Sequence, residues 1–372
     1  MSLTDLSYYL RKFFPFVILI GATFIALFVV LWIIITSSSG NPIIAPTPKE
    51  TITFNTELGK LDKLRLPNNF RLPEGSKIIM DNDEGRPTTA TTAANIYFIP
   101  PRQTRFGYET KVKTIAKRLG IDTDNFDFTL SETTATYDTD EILLTIDIAT
   151  FNFDFQYKYV QHPTIFDNVS LPNEGRIIES GREFLRQVGS YPESLSRGRE
   201  RLTYLRYDSN LNELRPVIRA NEGSVVRIDY YKPPLDNYPV VSATDTGGQN
   251  QVTMIFKNNN YFILSSNIRL FDFTKDPAGR YPIKTGDQAF QDLQEGRGAI
   301  YRAKGDTINI KILKMYFAYF EDSTYQPYLQ PVYIFEGADK TFVAYVQAIT
   351  SDWVADPLYT PPSPTPELSP TP

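Results

Sequence analysis

The chain has 372 residues, no cysteine, one histidine and a net charge of −5. The lack of cysteine excludes disulfides and thiolate metal sites, and one histidine excludes a metal site built from several histidines. The acidic balance excludes the broad basic surface of a nucleic-acid-binding protein, so no nucleic-acid partner is predicted. Hydrophobic residues make up 41% of the chain, which is enough for more than one core.

The first element is an uncharged apolar run at residues 14–36. At a rise of about 1.5 Å per residue, this run is long enough to cross a bilayer core of about 30 Å. Arg11 and Lys12 precede it, and the positive-inside bias places residues 1–13 in the cytoplasm and the following chain outside. The sequence therefore predicts a single-pass membrane protein with a signal anchor, which contacts the lipid bilayer through residues 14–36.

The chain beyond this anchor is predicted to hold two domains between two unstructured ends. Residues 37–50 are rich in serine and proline, as in a linker, and residues 356–372 form a proline-rich tail that we expect to be disordered. The intervening length suits a first α+β domain at 51–168 and a larger second α+β domain at 169–355.

Three segments have the apolar periodicity of short amphipathic helices. They are residues 108–119, 177–188 and 285–295. Each is followed by a glycine that can end a helix, namely Gly120, Gly189 and Gly296. Thr285 and Gln288 have the spacing of a capping box at the start of the third helix.

Strand-like alternation fills most of the remaining sequence. Residues 141–159 alternate strongly but change phase near Ala149, which predicts one long strand bent by a β-bulge. Residues 307–320 show the same change of phase. Residues 328–335 and 341–349 predict a hairpin across a turn that contains glycine. Short helices packed on one face of bent antiparallel sheets define the predicted fold class, α+β.

Several segments resemble a known module. They are Tyr281–Ile283 leading into Ala289 and Leu293, the aromatic strand Met315–Phe320, the stretch Leu329–Tyr333, and residues 112–121 as the helix of an earlier copy. This pattern resembles the PepSY-like, cystatin-like α+β module of YycH/YycI-type membrane-anchored extracytoplasmic regulatory proteins. The resemblance implies tandem modules and regulation of a sensor kinase in the same membrane. The region 202–273 and the proline-rich tail depart from that pattern.

No motif of a catalytic centre, a nucleotide-binding loop or a calcium-binding EF-hand is present, and no cofactor is predicted. The acidic group Asp122, Asp124 and Asp127 lacks the glycine and glutamate that an EF-hand loop needs, so a solvated turn is the better interpretation.

Two groups of residues are candidates for a partner surface. Arg197, Arg199 and Arg201 form the densest basic patch outside the anchor and could hold an anionic polymer or a lipid headgroup; an exposed turn is the simpler interpretation. The other group is Tyr325, Tyr328 and Tyr333, an aromatic stretch suited to a recognition edge or, given its alternation, to a core strand.

The sequence thus favours a non-enzymatic extracytoplasmic ectodomain that binds or regulates an envelope protein or a sensor, with another membrane or envelope protein as its partner. Two alternatives stay open at this point. The first is an envelope glycan hydrolase that uses two carboxylates, whose spacing is set by the fold. The second is a structural spacer in which the proline-rich ends set the distance from the membrane.

Overall fold

The computed structural model describes residues 53–104, 106–242, 248–258 and 260–355, together with Thr23, Ile25 and residues 27–29. The chain divides into two units, Met1–Thr53 and Phe54–Pro372. In the first unit the described residues between 23 and 29 are helical and exposed. The second unit holds all the strands described below.

The predicted fold class, α+β with an N-terminal transmembrane helix, is wrong. Strands account for 37% of the residues and helices for 19%, so the fold is mostly β. Among the described residues, no helix is long and apolar enough to cross a membrane, so the structure does not support the membrane, single-pass and signal-anchor assignments. Residues 14–36 lie almost entirely outside the described residues, as do the predicted linker at 37–50 and tail at 356–372.

The larger sheet has nine strands, all antiparallel to their neighbours, in the order β3-β4-β5-β6-β12-β11-β9-β7-β8. Its strands are β3 Thr129–Ser131, β4 Thr134–Asp138, β5 Ile142–Asp147, β6 Phe153–Tyr157, β7 Arg199–Asp208, β8 Glu213–Pro216, β9 Val225–Tyr231, β11 Asn250–Lys257 and β12 Asn260–Ile268. Because β6 pairs with β12, the predicted domain boundary after residue 168 falls inside this sheet.

Alternation gives the two faces of this sheet opposite chemistry. One cross-strand row is apolar apart from one serine, and it consists of Leu202, Ile228, Val252, Ser266, Phe155, Leu144 and Tyr137. The neighbouring row, which we call the polar row, consists of Arg201, Asp229, Gln251, Asn267, Asp154, Thr145 and Thr136. Directly opposed residues project from the same face, so the first row lies in the core and the polar row lies on the other face.

A seven-stranded sheet combines one strand from the first part of the described chain, β2, with six strands between residues 240 and 347. Its strands are β2 Ala93–Phe98, β10 Val240–Val241, β13 Gly279–Pro282, β14 Ala299–Ala303, β16 Lys314–Phe320, β17 Tyr328–Glu336 and β18 Phe342–Gln347. Within it, β10-β16-β17-β18-β14 are consecutive neighbours, while β2 joins β13 to β17. A separate parallel pair consists of β1 Lys77–Met80 and β15 Asn309–Ile312. The predicted hairpin of β17 and β18 is confirmed.

The helices are short and pack against the sheets. They are α1 Tyr108–Arg118, α2 Glu174–Gln187, α3 Glu193–Ser196 and α4 Gly286–Gln294. The helices α1 and α2 bury their apolar faces in the core of the nine-stranded sheet, and α4 packs on the seven-stranded sheet. All three predicted helices are confirmed, and so is the capping box of Thr285 and Gln288.

The predicted single bent strand at 141–159 is wrong, because the chain reverses there. Strands β5 and β6 form an antiparallel hairpin, and the change of phase falls in the turn between them. The carboxylate of Asp147 accepts hydrogen bonds from the backbone N–H groups of Ala149, at 3.1 Å, and Thr150, at 2.7 Å. Phe151 completes the turn with a φ of 60°. A side-chain-capped turn therefore replaces the expected bulge.

A buried ion pair joins the two large sheets. Lys232 follows β9 of the nine-stranded sheet, and Glu321 follows β16 of the seven-stranded sheet. Their side chains are 5% and 3% exposed and are bonded to each other, and the Lys232 ammonium also donates to the carbonyl oxygen of Phe271 at 2.8 Å. Burial raises the pKa of Glu321, and the positive charge of Lys232 opposes that shift.

We predict that Gly181→Ala destabilises the protein although alanine favours helices. A Cβ at Gly181 would clash with Tyr230 Oη and Ile228 Cδ1, and such overpacking costs about 1–3 kcal/mol. At Gly175, in the same helix, an added Cβ would lie 3.6 Å from its nearest neighbouring atom. Gly175→Ala should therefore leave the free energy of unfolding unchanged or raise it by less than about 1 kcal/mol. Denaturant unfolding of both variants measures the difference, and equal stability would contradict the close packing of α2 on β9.

We predict that Lys232→Met lowers the free energy of unfolding by about 3–5 kcal/mol, because it leaves Glu321 buried without a counter-charge. The double change Lys232→Met with Glu321→Leu should recover most of this loss. Lys113→Met is the matched control, because the pair of Lys113 with Asp127 is exposed and should contribute less than about 1 kcal/mol. Urea unfolding of the full chain measures all three. If Lys232→Met is no less stable than Lys113→Met, the buried pair does not stabilise the fold.

The loss caused by Lys232→Met should depend on pH. Without Lys232, the pKa of Glu321 rises further in the folded state, so the folded state binds a proton more readily than the unfolded state. The free energy of unfolding therefore falls as the pH rises above the unfolded pKa of about 4.3. We expect the deficit relative to the wild type to be smaller at pH 5 than at pH 8. A deficit independent of pH would mean that Glu321 is not the group left uncompensated.

Candidate functional site

A cleft with a volume of about 900 Å³ lies between the two sheets, close to the Lys232–Glu321 pair. One wall is formed where β7 begins and β9 ends. The other wall is one face of the seven-stranded sheet, from strands β14, β16, β17 and β18. This volume lies in the usual range for ligand sites, about 300–1,000 Å³.

The wall from the nine-stranded sheet carries Arg199 and Arg201. They are two positions apart on β7, so their side chains project from the same face of the strand. Tyr231 lies opposite Arg199 on β9, and the guanidinium carbon of Arg199 lies 5.0 Å from the centre of its ring. Asp229 lies opposite Arg201 and is fully buried, with its carboxylate 3.3 Å from Arg227 Nε. Burial raises the pKa of Asp229, and the charge of Arg227 opposes this.

The wall from the seven-stranded sheet is aromatic and aliphatic, with a cation at its edge. It includes Tyr301, Tyr316, Ile334, Val343 and Tyr345, which border the apolar cluster on that face of the sheet. The ammonium of Lys314 lies 4.9 Å from the centre of the Tyr316 ring. A cation therefore packs on a tyrosine ring on each wall, and such contacts hold the cation without neutralising its charge.

Three of the carboxylates that line the cleft have cationic partners of their own. Glu200 accepts from Arg182 Nε at 2.8 Å, outside the cleft lining. The carboxylate of Glu336 lies 3.5 Å from Lys340 Nζ and accepts a hydrogen bond from the Tyr316 hydroxyl at 2.9 Å. The third is Glu321, paired with Lys232. In contrast, no carboxylate within ion-pair distance of Arg199, Arg201 or Lys314 is found in the described part of the chain.

Three tyrosines of the cleft are neutral hydrogen-bonding groups. Burial raises the pKa values of Tyr301, Tyr316 and Tyr345, and the neighbouring Glu336 carboxylate raises the pKa of Tyr316 further. These hydroxyls therefore stay protonated at neutral pH and can donate or accept hydrogen bonds, but they do not act as bases.

The structure divides the predicted arginine patch. Arg199 and Arg201 line the cleft, whereas Arg197 lies outside its lining, with a 71% exposed side chain paired to Glu193. This third arginine faces solvent because the chain turns through Arg197–Gly198 before β7 begins.

None of the three predicted tyrosines lies in the cleft lining. Tyr333 is fully buried and donates to the carbonyl oxygen of Lys284 at 2.9 Å. Tyr328 is half-buried against Phe98, and Tyr325 is 37% exposed and donates to the carbonyl oxygen of Ile99. The structure therefore does not bring these tyrosines together with the arginines.

A second pocket of about 180 Å³ surrounds Asp236, in a tight turn between Leu235 and Tyr238. The carboxylate of Asp236 accepts hydrogen bonds from Tyr97, at 2.8 Å, and Tyr319, at 2.7 Å, and from the amide of Asn95. Burial and this carboxylate raise the pKa of Tyr97 to about 12. Because the carboxylate already has three donors, we interpret it as a structural brace for the turn.

Sequence reasoning missed Lys314, Tyr316 and Tyr301, the residues of the second wall. They belong to strands whose alternation predicts only which residues are buried. No local signal indicates that Lys314 faces β7, because that placement depends on how the two sheets pack. Within the described residues, no group of three or more His, Asp or Glu side chains is placed to hold a metal ion.

Comparison with known proteins identifies no family. No family model matches the chain. No curated protein matches it either. Among solved structures, the chain is similar to an uncharacterised protein from Eubacterium rectale at 9% identity, over 74% of this chain and 88% of that one, with a TM-score of 0.35. This similarity is too low to support an argument about fold or function. The site is therefore interpreted from its own geometry, as an inter-sheet cleft in a mostly β protein.

Proposed function

We propose that this chain is a non-enzymatic binding protein whose ligand is negatively charged and occupies the cleft between the two sheets. One observation carries the proposal: Arg199 and Lys314, on opposite walls, pack on tyrosine rings rather than on carboxylates. Each keeps its full charge and its donor groups for a ligand. A ligand with two separated negative charges could contact both walls at once.

The other charges of the cleft support this proposal. Lys232 and Lys340 are paired with carboxylates, and Glu200 is neutralised from outside the cleft by Arg182. Arg199, Arg201 and Lys314 have no carboxylate within ion-pair distance in the described part of the chain, although the lining also contains Asp339. The three cations are exposed, so they can attract an anion, and salt screens this attraction.

The same contacts favour binding over hydrolysis. A glycan hydrolase needs two carboxyl groups, one of which is protonated as the acid. Glu200 and Glu336 are each held in an ion pair, with Arg182 and Lys340, and Glu321 is buried beside Lys232, so all three carboxylates are already engaged by a cation. The regulatory role and the sensor or envelope partner expected from the sequence stay predictions, as does the location outside the cytoplasm.

We predict that Arg199→Gln weakens the binding of anionic polymers by about tenfold, since it removes a charged hydrogen-bond donor. The probes are polygalacturonate and poly-L-glutamate, whose affinities for the full chain are measured by titration calorimetry at low ionic strength. Arg197→Gln is the matched control, because Arg197 lies outside the cleft, and it should leave the affinity unchanged. Added salt should weaken wild-type binding.

Three outcomes would contradict the proposal. The first is that neither polymer binds at low ionic strength, and the second is that Arg199→Gln binds as tightly as the wild type does. The third is a steady shortening of polygalacturonate during the incubation, which would show catalysis and favour the hydrolase.

A further inference from the structure

The walls of the cleft are built mainly from sheet faces, and this limits the kind of ligand that they can recognise. Among the described residues, strands β9, β16, β17 and β18 each pair with a neighbour on both sides, whereas β7 pairs with β8 only from Leu205 to Asp208, and β10 is an edge strand. Strand β14 pairs with β18, and the carbonyl oxygen of Ile300 in β14 accepts hydrogen bonds from the backbone of Asn69 and Phe70. Most backbone groups that would pair with an added peptide strand are therefore occupied, and recognition falls mainly to side chains.

The side chains on the two walls form two different surfaces. On the seven-stranded sheet, the partly exposed Tyr301 packs edge to face on the buried Tyr345, with ring centres 6.3 Å apart, beside the buried side chains of Ile334 and Val343. The Tyr301 ring is thus supported from below by the core, and an aromatic ring held in this way can pack against the C–H face of a sugar ring. The opposite wall presents the guanidinium groups of Arg199 and Arg201, whose forked donors match a carboxylate in two parallel hydrogen bonds.

Amides and hydroxyls also line the cleft, among them the hydroxyl groups of Tyr301 and Tyr316. Gln249 and Asn250 are buried: the Gln249 amide donates to the carbonyl oxygen of Asp322 at 3.2 Å, and the Asn250 amide oxygen accepts from the backbone N–H of Arg269 at 2.8 Å. Arg201 belongs both to the cleft and to the polar row, whose other members are carboxylate, amide and hydroxyl side chains. Planar polar side chains beside aromatic rings suit a ligand that has many hydroxyl groups and flat apolar faces.

From this arrangement we infer that the ligand of the cleft is an acidic oligosaccharide, with its sugar rings against the Tyr301 wall and its carboxylates on Arg199 and Arg201. This inference rests on the proposed function and adds the chemical class of the ligand. An acidic peptide shares the charge, but it lacks the sugar faces that would use the aromatic wall.

The test compares three probes of equal length by titration calorimetry on the full chain. The probes are tetragalacturonate, the neutral tetrasaccharide maltotetraose and the peptide tetraglutamate. We expect tetragalacturonate to bind about tenfold or more tightly than either of the others, because only this probe has both the charge and the ring faces.

Variants at Tyr301 separate ring packing from charge. Tyr301→Ala should weaken tetragalacturonate binding about fivefold, whereas Tyr301→Phe should retain it, since the ring supplies the contact. Tyr325→Ala is the matched control, because Tyr325 is a partly exposed tyrosine outside the cleft lining. Denaturant unfolding of each variant verifies that the fold is kept.

Each outcome has a distinct meaning. If tetraglutamate binds as tightly as tetragalacturonate, the inference of a glycan is overturned and the proposed anion-binding function stands. If neither anionic probe binds, both are overturned. If maltotetraose binds as tightly as tetragalacturonate, charge is not recognised, which overturns the proposed function and the acidic character of the glycan. If Tyr301→Ala binds tetragalacturonate as tightly as the wild type does, the inference that the sugar rings pack on the Tyr301 wall is overturned.

Discussion

The contact between Lys232 and Glu321 is the constraint on which the cleft depends. Each residue directly follows a strand of a different sheet, and the pair is almost fully buried. An isolated charge at this depth would cost several kcal/mol, so removing either side chain leaves the other buried without its partner. The backbone N–H of Glu321 also donates to Val241 in β10, so that the pair is tied into the seven-stranded sheet. The distance between the walls of the cleft is therefore fixed near this pair.

The pair also explains the electrostatics of the cleft. Lys232 is the cation paired with Glu321, the most buried carboxylate of the described lining. Glu200 and Glu336 have partners of their own in the same way. Arg199 and Lys314 then pack on tyrosine rings, which orient a cation while leaving its charge available. In a chain whose net charge is negative, these pairings leave Arg199 and Lys314 without a carboxylate partner among the described residues.

The sequence predicted the local structure more accurately than the pairing of the strands. The three helices were predictable because an apolar stripe and a terminal glycine are both encoded within about fifteen residues. The hairpin of β5 and β6 was not, since a phase change can result from a bulge or from a reversal of the chain. Asp147 decides between the two by capping a turn. The pairing of β2 with β13 and β17 joins segments nearly two hundred residues apart or more, and no local pattern encodes it.

The same limit applies to the candidate site. Arg199 and Arg201 could be singled out because they are close together in sequence, and alternation on β7 puts them on one face. Their relation to Lys314 depends on the packing of two sheets, so only half of the site was accessible to sequence reasoning. Arg197 belongs to the same arginine-rich segment, but it lies outside the cleft because the chain turns before β7 begins. In this protein, two things determine whether a charged residue faces the cleft: its register on the strand and the sheet to which the strand belongs. The density of charge along the sequence is therefore a weaker guide to the site.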